Sequence, residues 1–147
     1  MSGDRKIRQA TASELAVATK WLSDVGLPTA DLTPDHMQQF LIASMDDRPV
    51  GMIGLEHFGE TGLLRSLVVD RSCRKTGLGR ALVDALEIRA ANTGVTELWL
   101  LTIDADAYFL RLGYSIADRE KTPQAIQATR EYSSLCPGDA VLMRKRL

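Results

Sequence analysis

The sequence predicts a mixed α/β fold in which helices cover both faces of one sheet. Apolar, strand-like runs separated by polar turns fill the middle of the chain, which is the pattern of antiparallel hairpins. Strands alternate with helical patterns in the second half, which is typical of a sheet covered by helices. No linker or low-complexity tract interrupts residues 1–147, and this length suits one domain with a substantial core. We therefore expect a single domain over residues 1–147.

The composition argues against several classes of protein. A hydrophobic content of 45% with 25% charged residues is typical of a globular chain, not of a disordered or fibrous one. The 18 basic and 19 acidic residues leave a net charge of −1, without the basic excess of most nucleic-acid-binding domains. No apolar segment has the form of a secretory signal or the length of a membrane span. We expect a cytoplasmic protein without nucleic-acid or membrane partners.

The cysteines and histidines do not have the spacing of a metal site. Cys73 and Cys136 lack a C-x-x-C partner, and His36 and His57 are equally scattered. We therefore expect no metal cofactor. Cys136 has no neighbouring base in the sequence, so we interpret it as a packed thiol rather than a substrate contact.

The N-terminal third predicts one strand and two helices. A short strand over residues 6–10 leads to Thr11 and Glu14, whose spacing fits a capping box at a helix start. The apolar positions that follow have helical spacing, and Gly26 stands where a glycine would end the helix. A Thr-Pro pair at residues 33–34 predicts a second helix start. The short apolar face of this helix would comprise Met37, Phe40 and Leu41.

Three strands connected by polar turns are predicted next. The strands cover residues 41–45, 50–58 and 63–69, and the turns cover residues 46–49 and 59–62. The third strand is the most apolar of the three, which indicates a central position in the sheet.

The remainder of the chain alternates helices with strands. The predicted elements are a helix over 78–91 closed by Gly94, a strand over 96–102, a helix over 105–112, a strand over 114–118, a helix start at 122–123 and a last strand over 140–145. The main elements then have the order β-α-α-β-β-β-α-β-α-β-β.

A glycine-containing turn after the third of these middle strands carries the clearest chemical signal. Arg74, Gly77 and Gly79 have the pattern R-x-x-G-x-G between a strand and a helix. Glycines let the backbone approach a ligand, and a helix N-terminus presents unpaired N–H groups with a partial positive charge. Lys75 and Arg80 add full charges, so the segment predicts a phosphate or pyrophosphate site. A tight turn without a ligand is the alternative, and neither a P-loop nor a dinucleotide fingerprint fits.

These residues resemble motif A of the GNAT (Gcn5-related) N-acetyltransferase family. Residues 67–70 followed by 74–79 are similar to its R/Q-x-x-G-x-G/A segment, and residues 107–114 resemble the family's later FYEKLGF segment. The element order is also similar, so the resemblance covers essentially the whole chain and implies the GNAT acyl-CoA N-acyltransferase fold. Residues 134–137 and Met143 resemble, more narrowly, arsenic-resistance acetyltransferases of the ArsN2 type. More loosely, the chain resembles short N-acetylglutamate synthase-like members.

The resemblance implies that an acetyl group passes from acetyl-CoA directly to an amine, without a covalent enzyme intermediate. The family holds the pantetheine arm on the backbone at the end of the fourth strand and the pyrophosphate on the loop amides. The acceptor implied here is an amino acid or an amino-acid-like toxin, such as a glutamate-like molecule or an arsenical. The residues that match the cofactor-binding positions are Leu67, Val68, Val69, Arg74, Lys75, Thr76, Gly77, Leu78, Gly79 and Arg80.

One position departs from the family pattern. The general-acid tyrosine usually lies four residues before the glycine of the later motif, and this chain has Phe109 there, before Gly113. Tyr108 is adjacent, but a helix places it about 100° away, so the role is not transferred to it. A thiolate leaving group with a pKa of about 8.5 departs at neutral pH with little protonation. We therefore assign no general acid.

Two charged residues in strand-like runs are candidates for the acceptor side. Glu56 is a candidate catalytic base, because the amine must attack as a neutral nucleophile. A solvated carboxylate at a strand end explains Glu56 equally well. Arg65 interrupts an apolar strand, and a buried arginine needs an anionic partner. A substrate carboxylate would satisfy this need and make Arg65 substrate-binding, and an internal salt bridge would satisfy it equally.

Two other functions compete with a small-molecule acetyltransferase. Phe109 motivates a non-catalytic acyl-CoA-binding sensor that keeps the fold. A protein N-acetyltransferase is the third hypothesis, although the neutral composition gives no sign of a broad charged cleft. GNAT proteins often dimerise, so the resemblance leaves a homodimer open.

Overall fold

A computed structural model describes residues 5–24, 34–129, 132 and 140–147 of the chain. The strands are β1 (Arg5–Gln9), β2 (Phe40–Met45), β3 (Arg48–Phe58), β4 (Thr61–Val69), β5 (Glu97–Thr102), β6 (Ser115–Ile116) and β7 (Val141–Arg146). The α-helices are α1 (Leu15–Asp24), α2 (Leu78–Asn92), α3 (Asp106–Arg111) and α4 (Gln124–Gln127). Short 3₁₀ helices cover Ala12–Glu14, Pro34–Gln39, Arg71–Cys73 and Arg119–Lys121.

The strands form one sheet with the order β1-β2-β3-β4-β5-β7-β6. Neighbouring strands are antiparallel except β4 and β5, which run parallel. A parallel pair requires a crossover connection, and α2 provides it. β7 inserts between β5 and β6, so the last strand of the chain lies inside the sheet.

Apolar side chains pack on both faces of the sheet. α2 covers one face, where its leucines contact inward residues of β2 to β5. α1 and the 3₁₀ helix Pro34–Gln39 cover the opposite face over β2 and β3, and α4 covers the same face near β5 and β7. The predicted mixed α/β class with helices on both faces is therefore confirmed.

The second predicted helix is a 3₁₀ helix and is shorter than expected. It covers Pro34–Gln39, and Phe40, which was expected on its apolar face, belongs to β2. Leu41 also belongs to β2, as the strand predicted over residues 41–45 requires. The reason is that β2 is buried on both faces: Phe40 packs in the core beside α1, and Leu41 packs beneath α2. A strand buried on both sides lacks the alternating pattern that would reveal its start. Gly26 and Thr33 lie outside the described residues.

The hairpin turns are tighter than predicted because β3 and β4 begin earlier. Asp46 and Asp47 connect β2 to β3 with φ angles of 51° and 63°. Two consecutive positive φ values are typical of the type I′ turn, whose twist matches that of antiparallel strands. Gly59, with a φ of 64°, and Glu60 connect β3 to β4.

Two predictions near the C-terminus shift by a few residues. The amide of Tyr114 donates to the carbonyl of Phe109 at 3.0 Å, so this residue completes the end of α3. The strand predicted over 114–118 is therefore reduced to the two residues of β6. α4 begins after Pro123, which is its cap residue rather than its first helical residue.

The predicted capping box is present at the start of the first helical segment. The amide of Thr11 donates to Glu14 Oε1 at 2.9 Å, as the box requires. The amide of Glu14 also donates to the backbone carbonyl of Thr11 at 3.0 Å, the bond of a 3₁₀ turn. Arg8 of β1 donates to both oxygens of the same carboxylate, at 2.7 and 2.8 Å. The hydrogen bonds from Arg8 are the main reason that the pKa of Glu14 falls to about 2.

Replacing Glu14 by glutamine should lower the free energy of unfolding at neutral pH by about 0.5–1 kcal/mol, as for other partly exposed ion pairs. The pKa of Glu14 is lower in the folded state than its ordinary value of 4.5. Its contribution is therefore complete above that value and is lost as the pH falls towards 2. Urea melts of the two proteins should differ at neutral pH and converge in strong acid. The exposed Glu120→Gln variant is the control, and a difference that persists in acid would contradict the ion-pair explanation.

Candidate active site

A cleft opens in the sheet where β4 and β5 separate. The two strands pair only at their beginnings, with Thr61–Leu63 against Glu97–Trp99. Beyond this point the described ladder partners of β4 lie on β3 alone, so its other backbone edge faces the gap. The amide of Asp70 donates to β3 at 2.7 Å, and because successive amides of a strand alternate in direction, that of Val69 points into the cleft. The cleft has a volume of about 550 Å³.

A β-bulge lies in the part of β4 that borders the cleft. Met52 pairs with Val68 and Gly54 pairs with Arg65, so two residues of β4 stand opposite one residue of β3. Ser66 in this bulge has a φ of 62°, a left-handed conformation that costs a non-glycine residue about 1–2 kcal/mol. Bulges commonly redirect side chains beside active sites. Because position 66 is not a glycine, the sequence carried no signal for this bulge.

The loop between β4 and α2 forms a backbone cradle at one end of the cleft. Lys75 and Gly77 both have left-handed φ angles, 65° and 84°. Left-handed residues that alternate with others in a turn bring N–H groups together and create an anion-binding concavity. Gly77 is also the N-cap of α2, so the unpaired amides of the first helical turn add to the same concavity. The hydroxyl of Thr76 donates to the carbonyl of Cys73 and braces the loop.

Cationic side chains surround this cradle. Arg74, Lys75 and Arg80 are exposed and line the cleft. In the described part of the chain none of the three forms an ion pair, although Asp104 stands on the opposite wall. Full charges at a helix N-terminus strengthen its attraction for a phosphate group.

The two glycines of the loop are required for different reasons. A Cβ atom at Gly77 would have no heavy atom within 4 Å, so there is space for a side chain at this position. The glycine is required because its φ is left-handed. A Cβ atom at Gly79 would lie 2.6 Å from the hydroxyl oxygen of Tyr108. Cβ atoms in proteins essentially never approach another heavy atom within 3.0 Å. The tip of the Tyr108 side chain therefore takes the space that a side chain at position 79 would need.

α3 directs two consecutive aromatic residues to the cleft, and neither has a predicted role. Tyr108 and Phe109 both line it, with their rings in a T-shaped contact at 5.4 Å between centroids. Phe109 makes a similar contact with Tyr114 at 5.6 Å. The hydroxyl of Tyr114 donates to Glu87 at 2.9 Å, and Lys145 donates to the same carboxylate at 3.0 Å. Burial raises the pKa values of Tyr108 and Tyr114, so both hydroxyls are protonated at neutral pH.

The structure brings Glu56 and Arg65 together. Arg65 Nη1 lies 3.3 Å from Glu56 Oε2, and the exposed fractions of the two side chains are 0% for Arg65 and 13% for Glu56. Arg65 Nε also donates to the hydroxyl of Ser66 at 3.1 Å. Glu56 is therefore not a solvated strand-end carboxylate, and the internal salt bridge that the sequence left open for Arg65 is present. Arg65 belongs to the cleft lining, whereas Glu56, on the neighbouring strand β3, is not one of the lining residues.

The cleft lining includes most of the predicted cofactor-binding residues. Thr76 and Leu78 are not part of this lining. The Thr76 hydroxyl forms its hydrogen bond within the loop, and the Leu78 side chain is buried in the core. The sequence did not predict that β5 and α3 form one wall of the cleft. This wall could have been expected, because the parallel strands β4 and β5 have their carboxyl ends at the same edge of the sheet. The lining residues without a predicted role are Leu64, Ser66, Cys73, Leu100, Leu101, Thr102, Asp104, Ala105, Tyr108 and Phe109.

Other predictions concern residues outside the cleft. Cys136 lies outside the described residues. Within residues 5–24, 34–129, 132 and 140–147, no group of His, Cys, Asp and Glu side chains is arranged to hold a metal ion. In the same part of the chain, no helix combines the length and the apolar character needed to cross a membrane.

The sheet order, the separated β4 and β5 strands and the glycine loop define an acyl-CoA N-acyltransferase fold. The chain belongs to the acetyltransferase (GNAT) family, whose model matches residues 10–114. The predicted family is therefore confirmed, and acyltransferase is the enzyme class of this family. An uncharacterized N-acetyltransferase of Chlorobaculum tepidum is 28% identical over 126 residues, which cover 83% of this chain and 81% of that protein. An uncharacterized N-acetyltransferase of Methanocaldococcus jannaschii is 33% identical over 113 residues, covering 73% of this chain and 65% of that protein.

Solved structures share the fold at lower identity. N-acetylglutamate synthase from Neisseria gonorrhoeae, complexed with coenzyme A and N-acetyl-glutamate, matches 100% of this chain with a TM-score of 0.83 and 21% identity. The chain spans only 36% of that protein. Rv2747 from Mycobacterium tuberculosis, in complex with CoA and NLQ, matches 97% of this chain and 99% of its own length, with a TM-score of 0.78 and 19% identity. The similarity to both proteins shows the fold.

Proposed function

We propose that the protein is an acetyl-CoA-dependent N-acetyltransferase that moves an acetyl group to the amine of a small molecule. The observation that carries this proposal is the cleft between β4 and β5, because one continuous groove joins an open strand edge to a cationic backbone cradle. Acetyl-CoA has the matching order of groups: a thioester, an arm with two amides, and a pyrophosphate.

The open edge of β4 suits the pantetheine arm. An unpaired strand edge presents N–H and C=O groups, and an extended chain of amides can pair with them as an added strand would. The amides of the loop and of the first turn of α2 would then receive the pyrophosphate, with Arg74, Lys75 and Arg80 neutralising its charge. The predicted cofactor residues that line the cleft keep this role in the proposal, and Thr76 and Leu78 would contribute only through their backbone amides.

The reaction would proceed by direct attack. The neutral amine adds to the thioester carbon, and an N–H group on the cleft edge of β4 stabilises the oxyanion that forms. The C–S bond then breaks and CoA leaves as a thiolate, which needs little protonation near neutral pH. The proton released by the attacking amine passes to Glu56, directly or through one water molecule.

Arg65 would act in this step by positioning Glu56. Its side chain is fully buried and paired with that carboxylate, so the guanidinium orients the base rather than contacting the acceptor from the open cleft. The sequence-based role of Arg65 in binding an acceptor carboxylate is replaced in this proposal by a positioning role.

The proposed acceptor is an amino acid or an amino-acid-like molecule. Two observations support this class: the synthase with the same fold is complexed with N-acetyl-glutamate, and the C-terminal segment resembles that of arsenic-resistance acetyltransferases. A glutamate-like amino acid and an arsenical are the two members of the class to test first.

Release of CoA thiol from acetyl-CoA tests the proposal. The purified protein is assayed with amino acids including glutamate, with an amino-acid-like arsenical, and with spermidine and an aminoglycoside as amines without a carboxylate. Turnover with a member of the first two groups, confirmed by mass spectrometry of the acetylated product, is the expected result. Faster turnover of the carboxylate-free amines would overturn the acceptor class and keep the acetyltransferase.

One observation favours the sensor as the second candidate. Phe109, at the position of the family's general-acid tyrosine, lines the cleft with 5% exposure and offers no proton. Calorimetry with CoA distinguishes the two functions. Tight binding without turnover of any amine, or of a peptide substrate, would favour the sensor over both a small-molecule enzyme and a protein acetyltransferase.

A further inference from the structure

The hydroxyl of Tyr108 stands inside the cleft and has no role in the reaction described above. The position of a Cβ atom on Gly79 lies 2.6 Å from this hydroxyl oxygen and 3.8 Å from Val69 Cγ2. The hydroxyl is therefore between the end of β4 and the first turn of α2. The T-shaped contacts from Tyr108 to Phe109 and from Phe109 to Tyr114 hold the ring there.

This location is at the anion-binding end of the cleft. The first turn of α2 carries the unpaired amides, and Arg74, Lys75 and Arg80 line the same region. Arg65, which is paired with Glu56, lies four residues before Val69, near the other end of the β4 segment that borders the cleft. In the proposed reaction the base is at that end, so the thioester would lie there and the polar arm of the cofactor would lie near Tyr108.

We propose that Tyr108 positions acyl-CoA by donating a hydrogen bond to its polar arm, next to the pyrophosphate, and takes no part in proton transfer to sulfur. This inference rests on the proposed function. The protonated hydroxyl is a donor suited to a phosphate or amide oxygen. Gly79 is the complementary feature, because the absence of its side chain admits the tyrosine tip.

The test compares two acetyl donors in the Tyr108→Phe variant. S-acetyl-N-acetylcysteamine has the thioester and the first amide of the arm but lacks the pyrophosphate. With acetyl-CoA, the loss of one neutral hydrogen bond should raise KM by about 3- to 10-fold and leave kcat within about 2-fold. With the short thioester, kcat/KM should equal that of the parent protein. Tyr132→Phe, on a tyrosine that packs against Arg119, is the matched control and should change neither.

Two results would overturn the inference. An equal fall in kcat with both donors would make Tyr108 the proton donor to sulfur, and unchanged kinetics with both would leave it without a role. If the parent protein binds CoA without turnover, the dissociation constant for CoA is measured instead. It should rise by about 3- to 10-fold in the Tyr108→Phe variant. A parent protein that does not bind CoA would refute the proposed function and this inference together.

Discussion

Replacing Glu56 by glutamine should lower kcat for acetyl transfer by about 10²–10⁴, the usual contribution of a positioned base. Glutamine keeps the size of the side chain and an oxygen that can accept from Arg65, but it cannot take a proton from the attacking amine. Thiol release measured with saturating acceptor checks the rate, with KM for acetyl-CoA expected to stay near the parent value.

The fold of this variant needs a separate measurement, because the buried Arg65 loses its charged partner. Breaking a buried ion pair costs about 3–5 kcal/mol, so a thermal melt accompanies the kinetics. Glu56→Asp preserves the charge while withdrawing the carboxylate, and it should keep more stability than the glutamine variant but still lose turnover. Glu60→Gln, exposed in the β3–β4 turn, is the control. A folded Glu56→Gln protein with a rate within a few-fold of the parent would leave the Glu56–Arg65 pair as a purely structural contact.

Valine in place of Gly79 should weaken CoA binding by more than about 100-fold, which is about 2.7 kcal/mol or more. Its Cβ atom would lie 2.6 Å from the Tyr108 hydroxyl, and its methyl groups would occupy the space between α2 and α3 that the cofactor must pass. The backbone there is already helical, and the clash is with the free end of a side chain. The loss of folding free energy should therefore stay within the about 1–3 kcal/mol of ordinary overpacking. Calorimetry with CoA and a urea melt measure the two quantities.

Two variants separate the steric effect from a general weakening of α2. Ala81→Val adds a β-branched residue to the same helix outside the cleft lining and should bind CoA as the parent does. Gly79→Ala combined with Tyr108→Phe removes the clashing oxygen, after which the nearest ring atom, Cζ, is at 3.6 Å. The stability lost on Gly79→Ala alone should then be recovered. Parental CoA affinity in a folded Gly79→Val protein would refute the assignment of this turn to the cofactor.

The parts of the structure that were predicted from the sequence are those encoded by near neighbours. The capping box joins Thr11 to Glu14, three residues apart, and its geometry depends only on the helix that starts there. The glycine loop behaves in the same way, since the left-handed φ of Gly77 is a property of one residue. The order of strands and helices followed from such signals together with the family resemblance.

Prediction from sequence was least accurate where burial removes the periodic pattern. The start of β2 at Phe40 was assigned to a helix because its residues are apolar on both faces of the sheet. Neither the bulge at Ser66 nor the separation of β4 from β5 has a local signal. The bulge depends on the register of β4 against β3, and the separation depends on how far β4 and β5 remain paired.

The sequence by itself determined the element order, the phosphate-type loop and the candidates Glu56 and Arg65. The tertiary structure decided which of these residues meet. The register of β3 against β4 places Glu56 opposite Leu63 and within reach of Arg65, so a candidate base and a candidate substrate contact become one ion pair. The Tyr108 hydroxyl of α3 reaches Gly79 of α2 from a distant part of the chain. Distances between residues far apart in the chain depend on strand register and packing, and no local pattern in the sequence specifies either.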